Sequence, residues 1–219
     1  MRSVFFDLET GGADPSRHPI TQIAAVAVDE HLNELESFEC KVRFDESAAD
    51  PKALELNHYD PEVWAEKGLA PRMAADRFAR FLKKYDDVLM VSQAGKPYRV
   101  AQLIGYNAAT FDGPFLQRTY KELGVFLPAS FRVMCLLQRV LWGFHEDPRK
   151  KPPADFKLGT VCKYFEIPLE GAHDALADVR ATVNLSRVLV GKPVAGSPLP
   201  LSVLDEPMGE VPELQEMPF

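Results

Sequence analysis

The chain has 219 residues, of which 46% are hydrophobic, and this length suits one α/β domain with a large core and some appended material. It contains no apolar run of about 18 residues or more, so we expect no membrane span, and Met1 leads straight into a predicted strand without a signal peptide. The net charge of −7 argues against binding a phosphate backbone by bulk attraction alone, although a local basic patch can still hold a nucleic-acid strand.

The first part of the chain is predicted to form three strands followed by two helices. Apolar runs joined by short polar connections predict an antiparallel meander for the strands. The predicted segments are strands near residues 3–8, 20–28 and 35–44 and helices near 51–58 and 71–84.

The second part is predicted to alternate strands and helices. Residues 94–97, Ala-Gly-Lys-Pro, predict the turn of a hairpin within 88–102. The other predicted segments are a buried strand over 99–107, a helix after Asp112, a short strand near 131–134, a helix to about 142, and helices over 157–165 and 175–190.

The cysteines and histidines show no zinc-ligand spacing. Cys40, Cys135 and Cys162 are odd in number and lack Cys-x-x-Cys spacing, which favours a reducing cytoplasm with the thiols as small buried hydrophobes. The sequence therefore predicts a cytoplasmic protein.

Two carboxylates interrupt the first apolar run, Val-Phe-Phe-Asp-Leu-Glu-Thr over residues 4–10. On a strand, Asp7 and Glu9 lie on the same face a few ångströms apart. Such like charges repel each other, and burial among apolar neighbours makes ionisation costlier still, so a bound divalent cation would remove both penalties. The alternative is an edge strand with one solvated face.

Asp112 is predicted to lie in or just before the first turn of a helix that follows a buried strand. Backbone N–H groups at a helix N-terminus favour negative charge. Asp112 is therefore either a helix cap or a metal ligand, and its local sequence does not separate the two.

His173 and Asp178 are five residues apart, about 140° around a helix, so they do not share a helical face. Both can reach one site only if His173 lies in a loop before the helix and Asp178 lies inside it. Asp174 then fits the N-cap of that helix. Considered alone, His173 would be interpreted as an exposed loop histidine.

These residues form the patterns Asp-x-Glu-Thr, Gly-x-Asn-x3-Phe-Asp and His-x4-Asp, which resemble the DEDDh family of 3′→5′ exonucleases over about residues 1–190. Together with the order of predicted elements, the resemblance implies an α/β ribonuclease H-like fold, with a mixed five-stranded sheet flanked by helices. One departure is the predicted hairpin, where family members often carry a shorter stretch.

The resemblance implies phosphodiester hydrolysis with two divalent ions, Mg²⁺ or Mn²⁺, roughly 3.5–4 Å apart. By this analogy Asp7 bridges the ions, Glu9 and Asp178 hold the ion that carries the attacking water, and Asp112 serves the other. His173 would be the general base, since an unperturbed histidine pKa of about 6.5 lets it accept a proton near neutral pH.

Five further residues resemble the family's substrate contacts. Thr10 and Gly11 would meet the terminal nucleotide, where glycine lets the backbone approach closely. Asn107 would hydrogen-bond near the penultimate sugar-phosphate. Phe111 either lines the pocket or anchors its helix, and we expect the anchor. His58 either touches the substrate or is a surface residue.

The implied partner is single-stranded nucleic acid, with DNA the expected substrate and nucleoside 5′-monophosphates the products. RNA is the alternative, which a partner for the 2′-hydroxyl would decide. A non-catalytic nucleic-acid-binding module is a third reading, which the complete set of five motif residues disfavours. Residues 149–151, Arg-Lys-Lys, are the best candidate basic patch, and Lys83 with Lys84 is the second.

The composition changes after Gly191. Residues 192–219 contain six prolines, five acids and a single lysine, which predicts an acidic Pro-rich tail after an exonuclease domain over 1–191. The last residues, Glu-Met-Pro-Phe, resemble the tail by which bacterial single-strand-binding protein recruits repair enzymes. A replication or repair protein is therefore a candidate partner, and a merely solubilising tail is the alternative.

Overall fold

A computed structural model describes residues 1–147, 149–169 and 174–195. Its strands are β1 Ser3–Thr10, β2 Ile20–Val28, β3 Glu34–Lys41, β4 Val88–Val91, β5 Pro97–Val100, β6 Leu103–Gly105 and β7 Met134–Cys135. Its helices are α1 Pro51–Leu56, α2 Pro61–Lys67, α3 Pro71–Lys83, α4 Asp112–Leu123, α5 Leu136–Glu146, α6 Leu158–Tyr164 and α7 Ala175–Leu189. None of these helices combines the length and the apolar composition that crossing a membrane requires.

Five strands form one mixed sheet in the order β3-β2-β1-β6-β7, and β4 pairs with β5 in a separate hairpin. The pairs β1–β2 and β2–β3 are antiparallel, whereas β6 runs parallel to β1 and β7 runs parallel to β6. This sheet and its flanking helices confirm the predicted fold class.

Alternate residues of β1 enter different cores, because successive side chains of a strand point to opposite faces. Val4 and Phe6 belong to the core that α3 and α4 complete, and Phe5 belongs to the core that α6 and α7 complete. Asp7 and Glu9 have the same parity as Phe5, so the strand directs both carboxylates to the α7 face of the sheet.

The meander and the predicted helices are confirmed apart from small shifts at their ends, but α2 was not predicted. Its N-terminus nevertheless carries a local signature. Pro61 occupies the first helical position, and the Asp60 carboxylate accepts hydrogen bonds from the N–H groups of Glu62 and Val63. These residue types are common at helix starts, so the signal was present in the sequence.

The single buried strand predicted over 99–107 is wrong, because β5 and β6 divide this segment between two sheets. Ala101 lies between them and bonds elsewhere. Its N–H donates to the Pro128 carbonyl, and its own carbonyl accepts from the Ser130 N–H. The chain therefore leaves the hairpin, pairs with the segment before β7, and only then joins β1.

Three neighbouring predictions had different outcomes. The hairpin within 88–102 is confirmed, with its turn between Ser92 and Lys96. The short strand predicted near 131–134 is displaced to β7, because β6 pairs with Met134 and Cys135. The predicted tail lies outside the described residues from position 196 onward.

Gly105, at the end of β6, lies where the chain leaves no room for a side chain. A Cβ there would be 2.5 Å from the Ala108 Cβ and 2.8 Å from the Phe6 carbonyl oxygen. We expect Gly105→Ala to lower the free energy of unfolding in urea by about 1–3 kcal/mol, because backbone and buried neighbours must move.

The matched control for this variant is Gly143→Ala. Gly143 lies within α5, and a Cβ there meets nothing within 4 Å. Alanine is the better helix former, so this change should leave stability unchanged or raise it. Wild-type stability in Gly105→Ala would show that the tight approach at β6 does not constrain the fold.

Candidate active site

Three carboxylates converge where β1 meets the first turn of α7. Asp7 and Glu9 come from β1, and Asp178 comes from α7. One oxygen from each lies within 4.8 Å of the others. The strand period brings the first two together, and the packing of α7 on β1 adds the third. Carboxylate oxygens at this spacing are suited to a hard divalent cation.

Asp112 approaches the same place from the other side of β1. It is the first residue of α4 and is only 2% exposed. The Leu8 N–H, which lies between Asp7 and Glu9 on β1, donates a hydrogen bond to Asp112 Oδ1 at 3.0 Å. The predicted cap role is wrong, because Phe111 occupies the N-cap position and no side chain caps the helix. Asp112 lies instead in the first turn, close enough to the cluster for its charge to raise the pKa of Asp7 after burial has done so, and its role as a ligand stays a prediction.

Burial and mutual repulsion disfavour the charged forms of these acids. Burial raises the pKa of Asp7 well above its ordinary value, and the charges of Asp112, Glu9 and Asp178 raise it further. The pKa of Glu9 is raised to about 7, first by burial and then by the neighbouring carboxylates. Burial also raises the pKa of Asp112 to about 7, although backbone hydrogen bonds oppose the shift. The residues present thus fit a cation, which would supply the missing positive charge.

The stability of the metal-free chain should consequently fall as pH rises. Glu9 and Asp112 titrate near 7 in the folded chain and near 4 when unfolded, so the folded chain binds more protons between these values. The stabilisation from this difference is fully present below about pH 4 and is lost as pH rises through about 7.

We therefore expect Glu9→Gln to raise the melting temperature in a chelator at pH 8, with a smaller gain at pH 5. Glutamine removes the repulsive charge but keeps the side-chain shape. Glu36→Gln is the control, because Lys84 and Tyr85 lower the pKa of Glu36 and the charge there is favourable. A Glu9→Gln gain that does not change between the two pH values would contradict this description of the site.

The start of α7 agrees with its prediction. The Asp174 side chain accepts a hydrogen bond from the Ala177 N–H at 3.0 Å, which confirms Asp174 as the N-cap. His173, the predicted general base, lies outside the described residues, and its role stays a prediction.

Thr10 and Gly11 are buried, and their contacts are with the protein itself. The Thr10 hydroxyl donates to the Gly12 carbonyl at 2.8 Å. A Cβ on Gly11 would lie 2.8 Å from the Ala49 Cβ and 2.9 Å from Pro19 Cδ. The close approach that glycine allows here is therefore an approach of neighbouring chain segments, and a contact to the terminal nucleotide stays a prediction.

The remaining predicted substrate contacts, Asn107, Phe111 and His58, differ in their surroundings. Asn107 adopts a left-handed backbone conformation with φ of 58°, in the turn between β6 and α4. Phe111 packs against the core with its ring 5.2 Å from that of Phe115, which agrees with the expected anchor. His58 is exposed, whereas its neighbour Asn57 donates a side-chain hydrogen bond to the Thr10 carbonyl at 2.9 Å.

A cleft of about 790 Å³ opens beside Asp178, and its basic residues were not predicted. Asn107 and Asp178 line it together with Lys157, Lys163 and apolar side chains that include Phe156. No sequence spacing singles out these lysines. Of the residues predicted as basic patches, Arg149, Lys83 and Lys84 form ion pairs with carboxylates. Lys150 and Lys151 are exposed.

Curated relatives of similar sequence are exodeoxyribonuclease I of Buchnera aphidicola and of Haemophilus influenzae. The first is 25% identical over 203 residues, which cover 86% of this chain and 39% of the relative. The second is 25% identical over 208 residues, covering 85% and 40%. The chain thus spans about two fifths of the length of these relatives.

Solved structures of exonuclease I share the fold. One, from work on how processivity is achieved, superposes with a TM-score of 0.72 at 20% identity and covers 87% of this chain and 41% of that one. The E. coli enzyme with a dT13 oligonucleotide superposes with a TM-score of 0.68 at 21% identity, covering 86% and 40%. A zinc-bound form of the E. coli enzyme with single-stranded DNA gives 0.70 at 20% identity, covering 87% and 40%.

The family model described as RNase_T exonuclease matches residues 4–186, a range that contains all five motif residues. This match extends over well more than half of the chain. The chain therefore belongs to the RNase_T exonuclease family.

Proposed function

We propose that this chain is a metal-dependent 3′→5′ exonuclease that hydrolyses single-stranded DNA to nucleoside 5′-monophosphates. The observation that carries the proposal is the cluster of Asp7, Glu9 and Asp178. Asp112 joins it by accepting a hydrogen bond from the N–H of Leu8, the residue between Asp7 and Glu9. Membership of an exonuclease family gives such a cluster a function that a structural ion site would not have.

Asp7, Glu9 and Asp178, with Asp112 beside them, are the residues that would hold Mg²⁺ or Mn²⁺. Two such cations bound together would stabilise both the attacking oxygen of water and the leaving 3′ oxygen during displacement at phosphorus. The protein's own contribution is to keep four mutually repelling carboxylates in place before a cation arrives. Three elements hold the carboxylates in place. Asp7 and Glu9 lie on β1, Asp112 lies on α4 and Asp178 lies on α7.

His173 is proposed to accept the proton of the attacking water. In the sequence it directly precedes Asp174, the N-cap of α7, and comes five residues before Asp178. A neutral imidazole near pH 7 can take this proton, which the carboxylates cannot do as effectively while they are bound to cations.

Single-stranded DNA is the proposed substrate because the structures of E. coli exonuclease I that resemble this chain contain dT13 and dA16 oligonucleotides. A protein distinguishes RNA from DNA by contacting the 2′-hydroxyl, and among the described residues we identify no specific partner for that group.

The test is hydrolysis by the purified full chain of matched DNA and RNA oligonucleotides with Mg²⁺, with Mn²⁺ and with a chelator. We expect DNA to be degraded with either ion and to be intact in the chelator. Faster hydrolysis of RNA would replace DNA with RNA as the substrate. Binding of DNA without hydrolysis under every metal condition would favour a non-catalytic nucleic-acid-binding module.

A further inference from the structure

The cleft beside Asp178 extends the site along α6. The cleft is lined by Asp178 and Asn107, by two lysines, Lys157 and Lys163, and by apolar side chains. Resting on the proposed function, we propose that this cleft holds the part of the single strand 5′ of the scissile bond, with Lys157 and Lys163 each binding a backbone phosphate.

The charges in the cleft favour a polyanion despite the adjacent acids. Neither Lys157 nor Lys163 forms a salt bridge within the part of the chain that the structure describes, and both are exposed. The pKa of nearby Asp155 is lowered by hydrogen bonds from Thr160 and Lys157 and also by the charge of Lys157, so Asp155 is an acid that a phosphate would compete with for this lysine. Unpaired surface lysines are ordinary, but these two line the same concave surface as a carboxylate of the candidate active site. The chain has a net charge of −7, so most of its surface repels phosphate. On this surface the two lysines supply positive charge beside the acids.

The two lysines lie at opposite ends of α6. Lys157 is its N-cap, and Lys163 lies six positions later, in its last turn. At about 1.5 Å of rise per residue their backbones are about 9 Å apart along the helix. Their side chains can therefore reach different phosphates of one strand.

Aromatic rings continue from the cleft toward solvent. Phe156 lines the cleft, and its ring meets that of Phe144 with centroids 5.8 Å apart. Phe144 in turn contacts Tyr164 at 5.4 Å, and Tyr164 is 42% exposed. Bases of single strands stack on such side chains without regard to sequence.

The wall of the cleft is also fixed to the active-site turn. The Tyr106 hydroxyl donates a hydrogen bond of 2.6 Å to the Phe156 carbonyl. Tyr106 directly precedes Asn107, so the aromatic wall and the turn that leads to Asp112 are held at one separation. A strand seated on this wall would meet the carboxylates at a defined position.

The experiment compares a strand with a substrate that lacks one. Lys157→Gln, Lys163→Gln and the double variant are measured for hydrolysis of a dT oligonucleotide and of the p-nitrophenyl ester of thymidine 5′-monophosphate. We expect KM for the oligonucleotide to rise while kcat and hydrolysis of the ester stay unchanged, because the ester has no nucleotide 5′ of the bond that breaks.

Binding of a fluorescent dT oligonucleotide in a chelator gives a readout that does not require turnover. The slope of log affinity against log salt should lose about 0.7 for each lysine removed, as each phosphate contact on a single strand contributes about that much. Lys157→Arg and Lys163→Arg should keep the slope. Lys67→Gln, which removes an exposed charge in α2 away from the cleft, should also keep it.

The outcomes separate this inference from the proposed function. A wild-type chain that hydrolyses both substrates, with glutamine variants that bind the oligonucleotide with the wild-type slope, would overturn the inference alone. Variants that lose ester and oligonucleotide hydrolysis equally would overturn it too, since the lysines would then act at the reaction centre. A wild-type chain that hydrolyses neither substrate would overturn the proposed function, while a reduced slope in the variants would still support strand binding in the cleft.

Discussion

Asp7→Ala is expected to abolish metal-dependent hydrolysis while the chain stays folded. Asp7 is central to the site, because burial and then the charges of Asp112, Glu9 and Asp178 raise its pKa. Its removal should take away a ligand that the cations require, yet it should leave the metal-free chain as stable as before or more stable. Steady-state hydrolysis with Mg²⁺ and thermal unfolding in a chelator measure the two effects separately.

The control for this variant is Asp76→Ala. Asp76 forms an exposed ion pair with Arg72 on α3, where the two side chains are 47% and 60% exposed. Exposed pairs contribute little to stability, so activity and melting temperature should both stay near wild type. Normal turnover by Asp7→Ala would rule out the carboxylate cluster as the reaction centre.

His173→Ala is expected to lower kcat by about 10²–10⁴-fold with little change in metal affinity, because a general base contributes about that much. The acidic limb of the dependence of kcat/KM on pH should also lose the group that titrates near the histidine pKa. Turnover measured across pH, with calorimetric titration of Mn²⁺ into wild type and variant, tests both statements.

His31→Ala is the matched histidine control. His31 lies in the exposed turn between β2 and β3, far along the chain from the motif residues. We expect it to have wild-type kinetics. If His173→Ala instead loses Mn²⁺ affinity and recovers turnover in excess metal, His173 is a ligand rather than a base.

The β1 carboxylates could be predicted from the sequence because their geometry is local. A strand has a period of two, so Asp7 and Glu9 had to share a face wherever the strand packed. The cap at Asp174 was predictable for the same reason, since a side chain accepting from an N–H three residues later is a property of the helix start itself.

The hydrogen bond from Leu8 to Asp112 spans 104 residues and has no local signature. Only the pattern shared with a family placed Asp112 near β1. The tight approach at Gly11 has the same character, because Pro19 and Ala49, which surround it, come from separate connections. Such contacts are set by the packing of whole elements, and residue spacing does not specify that packing.

The divided strand over 99–107 shows a further limit of periodicity. Its apolar residues, Val100, Ala101, Leu103, Ile104 and Tyr106, predict one buried strand, yet Ala101 bonds to Pro128 and Ser130. Which partner a β-prone backbone selects depends on segments distant in the sequence. The basic cleft was missed for a related reason. Lys157 and Lys163 line one cleft with Asn107 and Asp178, and residue spacing does not predict that these residues lie together.

The most direct test of the central claim is the polarity and product of the reaction. Single-stranded DNA of defined sequence, labelled at its 5′ end, is incubated with the full chain and Mg²⁺, and the products are separated over time and identified by mass spectrometry. We predict that labelled strands shorten successively from the 3′ end, while nucleoside 5′-monophosphates accumulate from the earliest times. Early release of the 5′ label as a mononucleotide, or of internal fragments, would contradict the assignment of this carboxylate cluster as a 3′→5′ exonuclease centre.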